Sequence, residues 1–294
     1  MTNSVGIVGV GNMGSGMAAN LLASGWAVRV CDIDAEKTRA LAQLGATVHA
    51  NAAALGAQSD LVIICVVDGA QTEEVLFGAE GAAAALQPGQ AVMLCPTISP
   101  QDVESFAARL SERGLHTIDA PMSGGPQRAH DGSMSLMVAC ADAVFAEHRK
   151  VLQALSSKLF RISERPGDGA RTKLVNNLLA GINLVGAAEA LALAERMGLD
   201  TTRTLDVIEQ SSGQSWIGAD RMRRAVAGDY TPRAHVTLLQ KDTRLAVEAA
   251  QAAGFNGPLG TAARDVFAQA AAAGLAGEDD AAVFKLLRDR QGGR

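Results

Sequence analysis

SVGIVGVGNMGSGMAANLLASGWAVRVCD, residues 4–32, is the stretch that decides the fold. A short β-branched apolar run ends in Gly9. Gly9, Gly11 and Gly14 then form a GxGxxG turn directly before an Ala- and Leu-rich helical pattern, and AVRVCD reads as a second strand ending in Asp32. Strand, glycine turn and helix in this order suit the pyrophosphate of a dinucleotide. The glycines permit the tight turn and the close approach of backbone to phosphate, and the helix starting near Asn12 offers unpaired N–H groups and positive potential. Gly9, Gly11, Asn12, Met13 and Gly14 are therefore candidate cofactor contacts. Asp32 stands 18 residues beyond Gly14, close to the spacing at which an acid accepts hydrogen bonds from the adenosine ribose. Its charge would repel a 2'-phosphate, and Ile33 and Asp34 follow where an Arg would be needed, so NAD is expected over NADP. Asp34 is the better N-cap for the next helix.

Outward from this unit the pattern continues. LVIICVV, AVMLC, LHTID, SLMVAC and KLFRIS are continuous apolar runs separated by helical patterns as far as Ser163. Such runs, without alternation, mark strands covered on both faces, so a largely parallel α/β sheet is predicted. After Gly169 no strand is expected. A single long helix should run from Arg171 to about Met197, followed by helices near 202–211, 215–227, 235–253, 258–273 and 278–289, punctuated by Gly, Pro, Asp and Ser. The expected architecture is an α/β Rossmann-type N-terminal domain, residues 1–164, and an all-α C-terminal domain, residues 165–294, joined by a long interdomain helix.

Composition agrees with two packed cores: 294 residues, 48% of them hydrophobic. The formal net charge of -5 comes with no basic stretch of the kind that grips nucleic acid or an anionic membrane. Cys31, Cys65, Cys95 and Cys140 show no CxxC pairing and fall in strand-like runs, so they read as reduced and buried, with no metal site expected. The chain opens without a cationic region before its apolar run, and no stretch has 18 uninterrupted apolar residues, so a cytoplasmic protein is expected.

Two further segments carry chemistry. In GDGARTKLVNN, residues 167–177, Lys173 and Asn177 are four apart and so share a helical face. Oxidation of an alcohol without a metal needs a group to take the hydroxyl proton, and a lysine serves if burial and the positive end of a helix disfavour its ammonium. An isolated lysine more often decorates a solvated helix. DAPMSGGP, residues 119–126, follows the fifth strand at the edge where an open α/β sheet exposes its carboxyl ends. There Ser123 with the amides of Gly124 and Gly125 could cradle a carboxylate; the bland alternative is a tight Gly-Gly-Pro turn.

Together these motifs resemble the β-hydroxyacid dehydrogenase family, which includes 3-hydroxyisobutyrate dehydrogenase and tartronate semialdehyde reductase, over nearly the whole chain. GVGNMGSGMAANL resembles its cofactor fingerprint, DAPMSGG its substrate signature and GDGARTKLVNN its catalytic motif. The resemblance implies Lys173 as acid/base and Asn177, Ser123, Gly124 and Gly125 as substrate contacts. PTISP at 96–100 is similar to the loop beside the nicotinamide, which implies a cofactor role for Thr97. KDTRLA resembles the C-terminal segment that closes over cofactor and substrate, which implies one for Lys241. SGQSW, GDYTPRAHVTLLQKD and EDDAAVFKLL look most like the bacterial L-threonate dehydrogenase branch, although that branch usually lacks Asn at the position of Asn177. The substrate implied is a three- or four-carbon polyhydroxy acid; Ser212, Gln214 and His235 of the second domain are polar candidates for its hydroxyls, each with a helix cap or surface position as the alternative. A helical domain this rich in Ala and Leu should have apolar surface to cover, so a homodimer or homotetramer is expected. Pro96, Leu94, Glu164 and Arg171 depart from the family pattern. Imine reductases of similar architecture carry Asp or Tyr where Lys173 stands, and a non-catalytic relative lacks the lysine.

Overall fold

The computed structural model describes residues 4–289. The chain divides into one compact unit that ends at Lys173 and another that begins at Leu174. The first unit runs β1 (Ser4–Val8), α1 (Asn12–Ala23), β2 (Ala27–Cys31), α2 (Ala35–Gln43), β3 (Thr47–Val48), α3 (Ala52–Gly56), β4 (Leu61–Ile64), α4 (Gly69–Phe77), β5 (Ala91–Leu94) and α5 (Pro100–Ser111). It continues through β6 (His116–Asp119), β7 (Met122–Ser123), α6 (Gly125–His130), β8 (Met134–Ala139), α7 (Asp142–Leu155) and β9 (Ser156–Ser163), and α8 (Asp168–Arg196) starts within it.

The strands form one sheet in the order β3-β2-β1-β4-β5-β6-β8-β7, with β9 beside β8. Pairings from β3 to β6 are parallel, β8 runs antiparallel to β6 and β7, and β9 is parallel to β8. The apolar runs are continuous because both faces are covered. Val5, Ile7, Leu61, Ile63, Ala91 and Met93 pack into the core on one side, while Val8, Val62, Ile64, Val92 and Leu94 pack into the core on the other. All seven strands expected from the sequence form. The additional β3 and β7 are two residues each, too short to leave a periodic signal. Helix starts follow local chemistry: Asp34 accepts from the Glu36 amide at 3.0 Å, and Ser99 from the Asp102 amide at 3.0 Å with Pro100 opening α5.

The second unit continues α8 and adds α9 (Thr201–Glu209), α10 (Trp216–Val226), α11 (Val236–Ala252), α12 (Pro258–Ala270) and α13 (Val283–Asp289). Each coincides with a helical pattern in the sequence. One π-turn, Ala271–Leu275, follows α12, with Gly274 inside it at φ 87°. Among the described residues, β structure here is limited to a single bridge between His235 and Asp279. Leu184, Ala188 and Leu191 of α8 meet Met222, Val236, Phe267 and Phe284 in the core. By length and composition α8 could cross a membrane, but this packed face is how the core helix of a globular unit reads. Two carboxylates are buried with guanidinium partners, Asp279 with Arg224 at 3.0 Å and Asp280 with Arg221 at 2.6 Å. Burial pushes the Asp280 carboxyl up to about 7 despite Arg221.

Candidate active site

Chain direction places the glycine turn where the sheet changes sense: β1 lies between β2 and β4, the switch point at which open α/β sheets bind ligands. Gly9 has φ 90°, and a Cβ on Gly14 would sit 2.0 Å from the Gly9 carbonyl oxygen. The turn and the helix after it therefore touch backbone to backbone, which only glycines allow. At Gly11 the Cβ position is open, with no atom within 4 Å. Helix α1 begins at Asn12 with no side-chain cap and no acid in its first turn, so its terminal N–H groups are available to an anion. This cradle fits the pyrophosphate of NAD.

Asp32 follows β2 and has a structural duty as well. Its carboxylate accepts from the Val10 amide at 2.6 Å and from the Asp34 amide at 2.9 Å, tying the glycine turn to the end of β2. It remains partly exposed, with lone pairs left for a ribose. Thr97 lies in the segment that leaves β5 before Ser99 caps α5. The first unit thus brings Gly9, Gly11, Asn12, Met13, Gly14, Asp32 and Thr97 to the carboxyl ends of β1, β2 and β5, one edge of one sheet.

Ser123 lies on β7, opposite Ser135 of β8. Gly124 and Gly125 follow with φ 138° and 76°, so the turn is one that L side chains resist, and at Gly124 a Cβ would meet the Arg128 side chain at 2.7 Å. The Gly-Gly pair expected as a cradle therefore has a conformation that demands glycine.

Lys173 lies in the second turn of α8 and is 7% exposed, unlike a solvated surface lysine. The amino end of α8 is held by Asp119, the last residue of β6, which is 1% exposed. One oxygen of its carboxylate, Oδ2, accepts from the Gly167 amide at 2.8 Å and the Ala170 amide at 3.1 Å. Burial pushes the Asp119 carboxyl up to about 6, although the amides of Ala170, Gly167 and Gly169 pull the other way. The sequence reading missed Asp119; its signal was a carboxylate closing an otherwise apolar strand, LHTID. Arg171, a departure from the family pattern, is bound to Glu104 at 2.6 Å and Asp168 at 3.0 Å. Glu164 is exposed.

In the second unit Asn177, 8% exposed, donates to Asp242 Oδ2 at 2.6 Å. Lys241 Nζ lies 3.0 Å from the other oxygen of Asp242. Asn177 and Lys241 thus converge on a buried carboxylate that sequence reasoning did not name. Its signal lay in α11, where Val236, Leu239, Asp242, Thr243 and Ala246 share the buried face: an acid at a core position asks for a partner. Ser212 and Gln214 are exposed, and the His235 ring nitrogen Nδ1 lies 3.1 Å from the Gly277 carbonyl.

Residues 4–163 match the family model described as the NAD binding domain of 6-phosphogluconate dehydrogenase, and residues 167–287 match the NAD-binding model of NADP-dependent 3-hydroxyisobutyrate dehydrogenase. The chain is 41% identical to the L-threonate dehydrogenase of Cupriavidus necator, covering 98% of this chain and 97% of that one. It is 34% identical to the 3-hydroxyisobutyrate dehydrogenase of Pseudomonas aeruginosa, over 97% of this chain and 99% of the other. A crystal structure of a 3-hydroxyisobutyrate dehydrogenase from Salmonella typhimurium superposes with a TM-score of 0.90 at 39% identity, covering 96% and 99% of the two chains. With the dinucleotide cradle, the glycine-dependent Ser123 turn and the buried Lys173 in place, these likenesses show that the chain belongs to the 3-hydroxyisobutyrate dehydrogenase-like family of NAD-dependent hydroxyacid dehydrogenases.

Proposed function

We propose that the protein oxidises L-threonate, or a closely similar three- or four-carbon polyhydroxy acid, with Lys173 as general acid/base. The identity of 37–41% to five bacterial L-threonate dehydrogenases, over 96–98% of this chain, carries the substrate assignment. The cradle of Ser123, Gly124 and Gly125 holds the carboxylate and fixes the molecule at one end. When bound, NAD supplies the hydride acceptor. Lys173 takes the hydroxyl proton as the carbon–hydrogen bond gives up its electron pair, leaving a carbonyl, and returns that proton in the reverse direction. Asn177, one helical turn on, keeps the reacting hydroxyl aligned, and Asp242 keeps Asn177 in a single rotamer. Lys241 completes the contacts to cofactor and substrate.

The same reading makes the protein a soluble cytoplasmic enzyme and a homodimer or homotetramer. Val175, Leu179 and Leu193 are 70%, 57% and 57% exposed. At about 100° per residue they fall within about 40° of one another on α8. A stripe of large apolar side chains on one long helix is the kind of surface that a second copy covers. Light scattering at low micromolar concentration should give twice or four times the monomer mass, and a purely monomeric solution would remove the assembly.

Lys173→Ala should lower kcat by about two to four decades, the usual worth of a general acid/base, with NADH affinity by fluorescence titration nearly unchanged. Turnover retained in this variant would mean that another group moves the proton. The kcat/KM should favour NAD over NADP by at least about tenfold. At an effective dielectric of about 20 and about 4 Å, the Asp32 carboxylate against a 2'-phosphate costs up to a few kcal/mol. Equal values for the two cofactors contradict this role of Asp32. With saturating NAD, kcat/KM should rank L-threonate above D-erythronate, D-glycerate and 3-hydroxyisobutyrate, because a site that bonds several hydroxyls leaves its polar groups unpaired against a methyl. If 3-hydroxyisobutyrate leads by tenfold or more, the polyhydroxy-acid assignment fails and the chain acts on a simpler hydroxy acid.

A further inference from the structure

Asp119 is a buried carboxylate that the proton transfer above does not use, yet it sits between the two halves of the chemistry in the first unit. It closes β6, and the chain then runs through Ala120 and Pro121 into Met122 and Ser123 of β7, four residues later. Ala120 is held by its amide to the Leu94 carbonyl at 2.9 Å, and Pro121 by its carbonyl to the Met137 amide at 3.1 Å, so the segment has little freedom. On its other side the Asp119 carboxylate receives the amides of Gly167 and Ala170, at the start of the helix that carries Lys173. The contact is tight. A Cβ on Gly169 would lie 2.7 Å from the Met137 carbonyl oxygen and 2.9 Å from the Asp119 carboxylate carbon.

We infer that Asp119 is a positioning residue for Lys173: by clamping the first turn of α8 to the end of the strand that leads into Ser123, it sets where the proton-transferring amine stands relative to the carboxylate cradle. Misplacing a catalytic group by about 1 Å can cost about a hundredfold in rate. Lys173 follows Ala170 by three residues, so a shift of the helix start passes to it along a rigid element. A helix N-terminus is commonly capped from the residue just before it; here the acceptor comes from a strand 48 to 51 residues earlier, and this makes the cap a link between two parts of the site. The inference rests on the reading of Lys173 as the acid/base residue.

The test measures kcat, KM and NADH affinity for Asp119→Asn, Gly169→Ala, Lys173→Ala and the double variant Asp119→Asn with Lys173→Ala. Asp119→Asn keeps the shape but replaces the charged oxygen that accepts both amides with a neutral one, or turns toward them an amide group that cannot accept. Gly169→Ala presses on the same contact from the helix side and leaves the carboxylate in place. Both should lower kcat at least tenfold, with NADH affinity within about twofold of the parent. A residue that acts through Lys173 has nothing left to position once the amine is gone. The double variant should therefore be no slower than Lys173→Ala alone. Losses that multiply in the double variant, parent-like kcat in Asp119→Asn, or NADH binding that falls in step with kcat would each overturn the inference. So would failure of both single variants to fold by circular dichroism, since the contact would then be structural only. High turnover in Lys173→Ala, by contrast, removes the reading of the lysine itself.

Discussion

The cofactor edge of the first unit depends on one backbone contact, the approach of Gly14 to the carbonyl of Gly9. With only 2.0 Å between that oxygen and the place where a Cβ would stand, the helix can begin only if both positions stay bare. The contact fixes where α1 starts, and with it the direction in which its free N–H groups point. Asp32 makes the arrangement rigid from the other side by accepting from Val10. A cofactor site results from a packing constraint: the geometry that lets α1 lie on β1 also leaves the Gly11 face open.

That constraint was visible in the sequence because it is local. Gly9, Gly11 and Gly14 lie within six residues, and their meaning depends only on the strand before and the helix after. The long apolar runs were legible for the same reason, since a strand buried on both faces needs no partner information to be recognised. What was not legible depends on pairs far apart in the chain. Asp119 meets Gly167 across 48 residues, and Asp242 meets Asn177 across 65. Each shows in the sequence only as an acid at an apolar position, and what it holds depends on the partner. Arg171 is the converse case: a residue that looked out of place in a catalytic motif proves to be tied to Glu104 and Asp168, on the flank of α8, by bonds that a sequence does not display.

The polar groups buried around α8 share one logic. An isolated charge inside a protein is costly, and removing one partner of a buried pair costs more than the pair contributes. Asp119 has backbone amides, Asn177 has Asp242, and Asp242 has Lys241. Such sets weakly favour folding but strongly penalise any other arrangement of the groups they hold. The helical unit carries a comparable set away from these residues, Asp279 with Arg224 and Asp280 with Arg221, which fastens the turn before α13 to α10.

The division of labour between the units follows from their element types. A parallel sheet exposes carboxyl ends and helix N-termini along one edge, so it supplies backbone donors suited to an anion such as the pyrophosphate of NAD. A helix instead presents side chains at fixed intervals and no free amides beyond its first turn. It therefore supplies side chains such as Asn177 and Lys241, which here meet on the carboxylate of Asp242.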